Sequence, residues 1–595
     1  MNNDIPTRDQ IKESDKWDLS SLYPCDEAWE TDLERLKKKI DEAGKFKGTL
    51  AKSPVALLSA MKWLSDSMSL AEQVYVYASL KYSAQSDDPE CQRMIGLISQ
   101  VYTNLIAAVS YMDPEILEIK NLEKIIEDKD FDDCRIYLKK ILRQKNHTLS
   151  PSEEELLAKQ SELQSTPSKT FEMLTNVDMD FGNIDGMPLS QSTWASFMIN
   201  PDRNLRARAY EQFYGTYRAH EQTLATLYAA SVKQDIFNAK VRGFDTALDA
   251  ALYRDDVPKI VYTGLIEAVH VALPSLHRYY SLRKRILGVD QLRHYDVYVP
   301  LVGSIKTHKT YEEAAEIVKN ALKPLGEDYV KTLYKGITTD RWVDRYENKG
   351  KRSGAFSSGG FIGAPYILLN YKEDVLGDVF TLAHEGGHSM HSYYSKRNNP
   401  FLCYDYTIFE AEVASTFNEQ LVAKYLTDNA DSEEMRTYII AKQIDDMIAT
   451  LFRQTMFAEF EYLCHTQQEQ GQILTAATMR KTYRDLLEAY FGPEMVLEEN
   501  SDLEGLRIPH FYNAYYVYKY ATGISAAIAL SQKVLNGGWK ELDNYLNFLK
   551  SGGSKFPIES LKCAGVDMST RRPVELAMKK FDALLSEFEK TVSVN

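Results

Sequence analysis

The sequence predicts a mainly α-helical protein, and three observations carry that expectation. Glycine (29) and proline (19) are sparse across 595 residues and gather in a few places. Between those clusters apolar residues recur at three- and four-residue steps, as in Val55, Leu57, Leu58, Met61, Leu64 and Met68 of the run Pro54–Met68. That spacing lines one face of a helix. The same pattern fills Leu70–Val109, Asp202–Lys240, Pro258–Gly288 and Ser432–Gln470, so the fold reads as many packed helices with little sheet.

Composition narrows the class further. The chain is 44% hydrophobic and 26% charged, which excludes wholesale disorder and fibrous repeats. Its net charge of −15 argues against a nucleic-acid partner, since such proteins are usually basic. The first 19 residues lack the basic and apolar regions of a secretory signal. The uncharged stretch around Ser353–Tyr371 holds Gly354, Gly359, Gly360, Gly363 and Pro365 and cannot be a membrane helix. No membrane partner is therefore expected. Six scattered cysteines without a CxxC read as buried, reduced thiols of a cytoplasmic protein.

Two regions break the helical pattern. Met179–Leu205 contains Asp185-Gly186 between apolar residues, a hairpin signal. A boundary near residue 200 then separates a helical region, 1–200, from a second domain, 201–595. The other break is Gly350–Tyr371, rich in Gly and Ser up to Pro365 and followed by Tyr366–Tyr371, a short strand after a loop. Asp374–Lys396 is helical again.

That helix carries His384-Glu385-Gly-Gly-His388. Residues four apart share a helix face, so both imidazoles can point at one ion. Glu385 is turned about 100° away and can reach a metal-bound water as a base. With 11 histidines, chance supplies on the order of 0.01–0.02 HExxH matches per chain. His391, three residues on, is expected to support the site from behind or to face solvent. A two-histidine catalytic site usually takes a carboxylate third. Asn398-Asn399-Pro400 ends the helix, and Thr407…Glu410 reads as a capping box for the next one. On that second helix Glu412 and Glu419 share a face. Glu412 can ligate and Glu419 can brace a histidine, while a plain solvated face remains open.

HEGGHSMH, followed by EVASTFNE whose first Glu lies 24 residues beyond the second His, resembles the thimet oligopeptidase and oligoendopeptidase F group of zinc metallopeptidases. Lys351-Arg-Ser-Gly-Ala-Phe, Pro365-Tyr-Ile-Leu-Leu-Asn and Ile508-Pro-His-Phe-Tyr support the likeness. It covers residues 200 to the C-terminus well, and the N-terminal region by length and helical texture. The resemblance implies one Zn²⁺ per chain held by His384, His388 and Glu412, and Glu385 as base. It also implies a helical body with a deep substrate channel, which residues 1–200 would cover. Gly386 stands where many relatives are bulky. Two glycines in the motif helix cost on the order of 1–2 kcal/mol of helix propensity.

Five tyrosines crowd residues 512–520. A helix starting at Pro509 would align Tyr512, Tyr516 and Tyr520 in one stripe. Their hydroxyls could then serve an oxyanion, or the stripe could be a packed aromatic face. The resemblance gives His510 and the following tyrosines transition-state and substrate roles, with Tyr516 or Tyr515, and Tyr520 or Tyr518, as alternatives. The strand with Tyr366 and Leu368 is expected to line a cleft and bind substrate as an added strand. Gly359 and Gly360 would let a loop close over it.

The expected activity is therefore zinc-dependent cleavage of internal bonds in short, unstructured oligopeptides. The rivals are a zinc carboxypeptidase, for which Arg507 could serve a free carboxylate, and a non-enzymatic peptide-binding scaffold. Oligomeric state is not legible.

Overall fold

The computed structural model describes residues 5–303, 305 and 307–592. Most of these lie in helices, and strands form only small sheets of two, two and three members. The chain forms two compact units, each assembled from three segments: 1–145, 306–428 and 527–566 in the first, 146–305, 429–526 and 567–595 in the second. These limits do not follow the division expected at residue 200. The reason lies in how the first residues bond. In the first unit Arg8 and Lys351 both pair with the buried carboxylate of Asp344, Lys351 at 2.7 Å. Asp18 donates its N–H to the Arg341 carbonyl at 2.8 Å. The N-terminal segment is thus built onto residues more than 300 positions later, which helical periodicity cannot reveal.

Within that unit the helix begun at Pro54 runs to Ala84, N-capped by Ser53 with Pro at its first turn. The next, Pro89–Val109, is capped by Asp88. A three-stranded sheet has Tyr366–Leu368 at its centre, parallel to Val343–Asp344 and antiparallel to Phe356–Ser358.

The second unit contains the hairpin, turning at Asp185 and Gly186, both with positive φ as a type I′ turn requires. Its long helices include Lys259–Leu287, closed by Gly288 in the left-handed conformation. Ser432 caps another that runs from Glu433 through a π-turn at Ile448–Phe452 to Glu469. Tyr210, Tyr214, Tyr217, Tyr228, Tyr262, Tyr483 and Tyr490 are fully buried in this unit.

Two stretches, Pro89–Leu117 and Lys259–Leu287, are long and apolar enough to cross a membrane by composition. Each buries a stripe inside its unit, Met94, Ile98, Val101 and Leu105 in the first, as amphipathic packing helices do. None of the six cysteines is in a disulfide. Four are buried, whereas Cys25 and Cys563 are exposed, contrary to the expectation for all six.

Candidate active site

The motif helix spans Gly377–Asn398 and ends before Pro400; its partner spans Ile408–Asp428. Glycine explains how closely the two approach. A Cβ at Gly387 would stand 2.5 Å from the Ala414 carbonyl oxygen and 2.6 Å from the Ser415 Cα. Those are backbone atoms, so the helices can meet there only without a side chain. A Cβ at Gly386 would stand 3.2 and 3.3 Å from the Leu333 methyl groups. The propensity lost at Gly387 is the cost of bringing the Glu412 backbone to the histidines.

At that crossing the donor atoms converge. His384 Nε2 lies 3.2 Å from His388 Nε2 and 3.4 Å from Glu412 Oε2, and His388 Nε2 lies 3.6 Å from the same oxygen. Bonds of about 2.0–2.2 Å in a tetrahedral zinc site place donors about 3.3–3.5 Å apart, so the set fits. The tautomers fit as well. His384 Nδ1 is 2.9 Å from Glu419 Oε1, and a carboxylate only accepts, so the proton sits on Nδ1. His388 bonds the Ala411 carbonyl. The His388 ring thus turns an Nε2 lone pair toward the common point; at His384 burial is outweighed by Glu412 and Glu419, which hold it well above its ordinary value, so its Nε2 would present a lone pair on exchanging that proton for a metal. Burial pushes His388 down to about 4, which keeps it neutral. Ser415 Oγ donates to Glu412 Oε2 at 3.1 Å.

Glu385 is buried, and that burial pushes its carboxyl up to about 7 despite the neighbouring His384. The Ser357 backbone N–H donates to it. Ser357 Oγ is 2.9 Å from Ser389 Oγ, which donates to the Pro365 carbonyl. The sheet and the motif helix are thus joined beside the base.

Several expectations require correction. Tyr366 and Leu368 are fully buried in the central strand, paired on both sides, so no substrate strand can add there. The Tyr366 hydroxyl donates to the Asp18 carbonyl at 2.8 Å. The outer strand beside the motif helix is Phe356–Ser358, whose Ser357 no motif announced. A Cβ at Gly359 would overlap Ser392, and one at Gly360 would stand 3.2 Å from a Val76 methyl group. Close packing is thus reason enough for glycine at 359 and favours it at 360. His391 neither faces solvent nor braces a ligand: it is buried, its ring stacked on Tyr406 at 3.6 Å. Glu410 is also buried and accepts from the Thr407 hydroxyl at 3.2 Å, as expected of a residue at the helix start.

The tyrosine segment, in the second unit, is not one helix. A short 3₁₀ turn covers Pro509–Tyr512, Tyr515 has φ +57°, and the helix begins only at Tyr518. Tyr512 leaves the expected stripe and packs on Phe171 at 4.7 Å. Tyr515 and Tyr518 are buried against Tyr262. His510, Tyr516 and Tyr520 form a partly exposed ring cluster, with 6.2 Å between His510 and Tyr516 and 5.5 Å between the tyrosines. Arg507 donates to the Tyr214 hydroxyl and to Glu504 within the same unit.

Two histidines four apart on a helix, a carboxylate from a packed neighbour and a buried glutamate beside them define a metallopeptidase. Residues 196–580 match peptidase family M3, and residues 116–181 match oligopeptidase F. An oligoendopeptidase F homolog of Borreliella burgdorferi is 42% identical, over 98% of this chain and 99% of that one. Oligopeptidase PepF of Bacillus subtilis is 40% identical, over 99% and 89%. The structure of oligoendopeptidase-F from Enterococcus faecium aligns with a TM-score of 0.75 and 33% identity, over 96% of this chain and 100% of that one. The chain belongs to peptidase family M3, in the oligoendopeptidase F group, and is a metalloendopeptidase acting on peptides.

Proposed function

We propose that this chain is a zinc-dependent oligoendopeptidase that cuts internal bonds of short, unstructured peptides. The observation that carries the reading is the convergence of His384 Nε2, His388 Nε2 and Glu412 Oε2 at 3.2–3.6 Å beside a buried Glu385. Zinc held by these three residues would supply a Lewis acid for the scissile carbonyl and a more acidic water. Glu385, poised near neutrality, takes the proton of the attacking water and delivers it to the leaving amine. Glu419 holds His384 in the ligating tautomer and orientation. The outer strand Phe356–Ser358 borders the motif helix and can lie along an extended peptide, its Ser357 N–H being turned to Glu385. His510 and Tyr516 are assigned as donors to the oxyanion, with Tyr520 beside them in the ring cluster. Short peptides as substrates are supported by the names of the relatives, and a cytoplasmic location is proposed with them from the scattered cysteines of the sequence.

The carboxypeptidase alternative is weakened by Arg507, whose donors are engaged internally. Mass spectrometry of products from peptides of graded length, blocked at both ends, with and without a chelator, tests the reading. Internal cleavage that the chelator abolishes and zinc restores is expected. Loss of all cleavage on blocking the C-terminus would establish the carboxypeptidase instead.

A further inference from the structure

The segment that presents Tyr516 is shaped by a residue with no part in the chemistry just described. Tyr515 adopts a left-handed backbone, φ +57°, which is unusual for a bulky side chain. Something outside the segment must therefore hold it there. Its N–H donates to Glu461 Oε1 at 2.6 Å. Its ring is wedged between Tyr262, edge-on at 5.5 Å, and His465 at 4.8 Å. Those two rings are anchored to the helix that carries Glu461, Arg453–Glu469. The Tyr262 hydroxyl donates to the Ala458 carbonyl, and His465 Nδ1 bonds the Glu461 carbonyl. One helix face thus grips the corner by its backbone and by its side chain.

We infer that Glu461 is a positioning residue for the peptidase reaction: its carboxyl group fixes the turn at Tyr515 and, through it, the placement of Tyr516 against His510. This rests on the reading of Tyr516 as an oxyanion donor. Glu461 is 1% exposed, a position where an unpaired carboxyl is costly. Burial holds it well above the usual carboxylate range, with Asp235 adding to the effect. The Tyr515 N–H is the one hydrogen bond its side chain makes among the described residues. The next residue, Tyr516, is partly exposed, its ring nearly parallel to His510 at 18°. A carboxyl retained at such cost, aimed at the one backbone N–H that shapes this loop, is explained by the loop's geometry.

The test is made on the full chain, with zinc content checked, by steady-state kinetics on one quenched fluorescent peptide and by amide hydrogen exchange over residues 509–520. Glu461→Met removes the acceptor, Glu461→Asp withdraws it by one methylene, and Glu461→Gln keeps it without charge. The Met and Asp variants should lower kcat by about tenfold or more, with KM within about twofold, and speed exchange across the segment. Gln should retain parental exchange and a kcat within about threefold. In a Tyr516→Phe background, Glu461→Met should lower kcat by less than about a further twofold, because both act on one hydroxyl. Should Met fail to fold, Asp carries the same comparison. An impaired Tyr516→Phe enzyme alongside unimpaired Met and Asp variants would overturn the inference, as would fully additive losses. An unimpaired Tyr516→Phe enzyme removes the catalytic reading of Tyr516 and this inference with it. Unchanged exchange in the Met and Asp variants overturns the hold of Glu461 on the turn whatever the kinetics.

Discussion

The metal-ligand helices and the tyrosine segment hold their side chains by opposite means. His384, His388 and Glu412 stand on two continuous helices whose backbones touch at Gly387, so regular hydrogen bonding and a missing side chain set their geometry. Tyr516 follows a residue in a left-handed conformation, between a 3₁₀ turn and a helix start, and a single buried carboxyl tethers that corner. The first arrangement is stiff because bending it would break many bonds together. The second depends on one hydrogen bond and two ring contacts. Donors that must stay within tenths of an ångström to hold a metal suit the former, while the oxyanion role proposed for Tyr516 is compatible with the latter.

The largest effect should come from the stiff region. Glu385→Gln keeps an acceptor for the Ser357 N–H but cannot shuttle a proton. It should lower kcat by about 10²–10⁴-fold with zinc content unchanged by metal analysis. A metal-free variant would show that Glu385 supports the site instead of acting in it. Next comes the tethered region. Tyr516→Phe keeps the ring cluster and should lower kcat by about 10²–10³-fold with little change in KM. A larger loss in Tyr515→Phe or Tyr518→Phe would contradict their burial against Tyr262 and move the donor to another position.

Two substitutions then probe how the stiffness is built. Glu419→Ala frees the His384 ring and should weaken zinc binding by about 10–100-fold in titrations. Gly387→Ala drives a Cβ into the Ala414–Ser415 backbone and should destabilise by about 1–3 kcal/mol, measured by denaturant unfolding, while also weakening zinc binding. Gly386→Ala meets only Leu333 methyl groups that can shift, so it should be tolerated. Equal behaviour of the two alanine variants would show that the close helix crossing is not what Gly387 serves.

The same contrast explains what could be read from the sequence. Helix periodicity is local, so the motif helix, its partner and the long helices of both units were legible, together with the i, i+4 histidines. The seven-residue spacing that puts Glu412 and Glu419 on one face was legible, but not which histidine Glu419 would meet, which is His384. The central position of Tyr366–Leu368 was not legible, because pairing on both sides requires Val343–Asp344 and Phe356–Ser358, and no local pattern reports a neighbour. The close packing at Gly359 and Gly360 was hidden for the same reason, since Ser392 and Val76 lie far off in sequence. The tyrosine stripe failed most instructively. Its four-residue spacing is genuine in the sequence, but the hydrogen bond that the Tyr515 N–H donates to Glu461, 54 residues earlier, favours a corner where spacing favours a helix.

That corner yields the smallest expected effect, at Tyr512. In an unbroken helix Tyr512 would share the face of Tyr516, and losing its hydroxyl would disturb the same chemistry. In the structure its ring packs on Phe171 and Tyr228, and its hydroxyl is buried without a hydrogen-bond partner among the described residues. A buried hydroxyl with no partner has given up its water bonds for nothing, and replacing it with hydrogen removes that penalty. Tyr512→Phe should therefore leave kcat and KM within a few-fold of the parent and change unfolding stability by less than about 1 kcal/mol, toward stabilisation. Kinetics and denaturant unfolding on the same preparation decide it. A kcat loss approaching that of Tyr516→Phe would mean that Tyr512 turns toward substrate in the working enzyme, so that the two tyrosines act together and the corner at Tyr515 opens during the cycle.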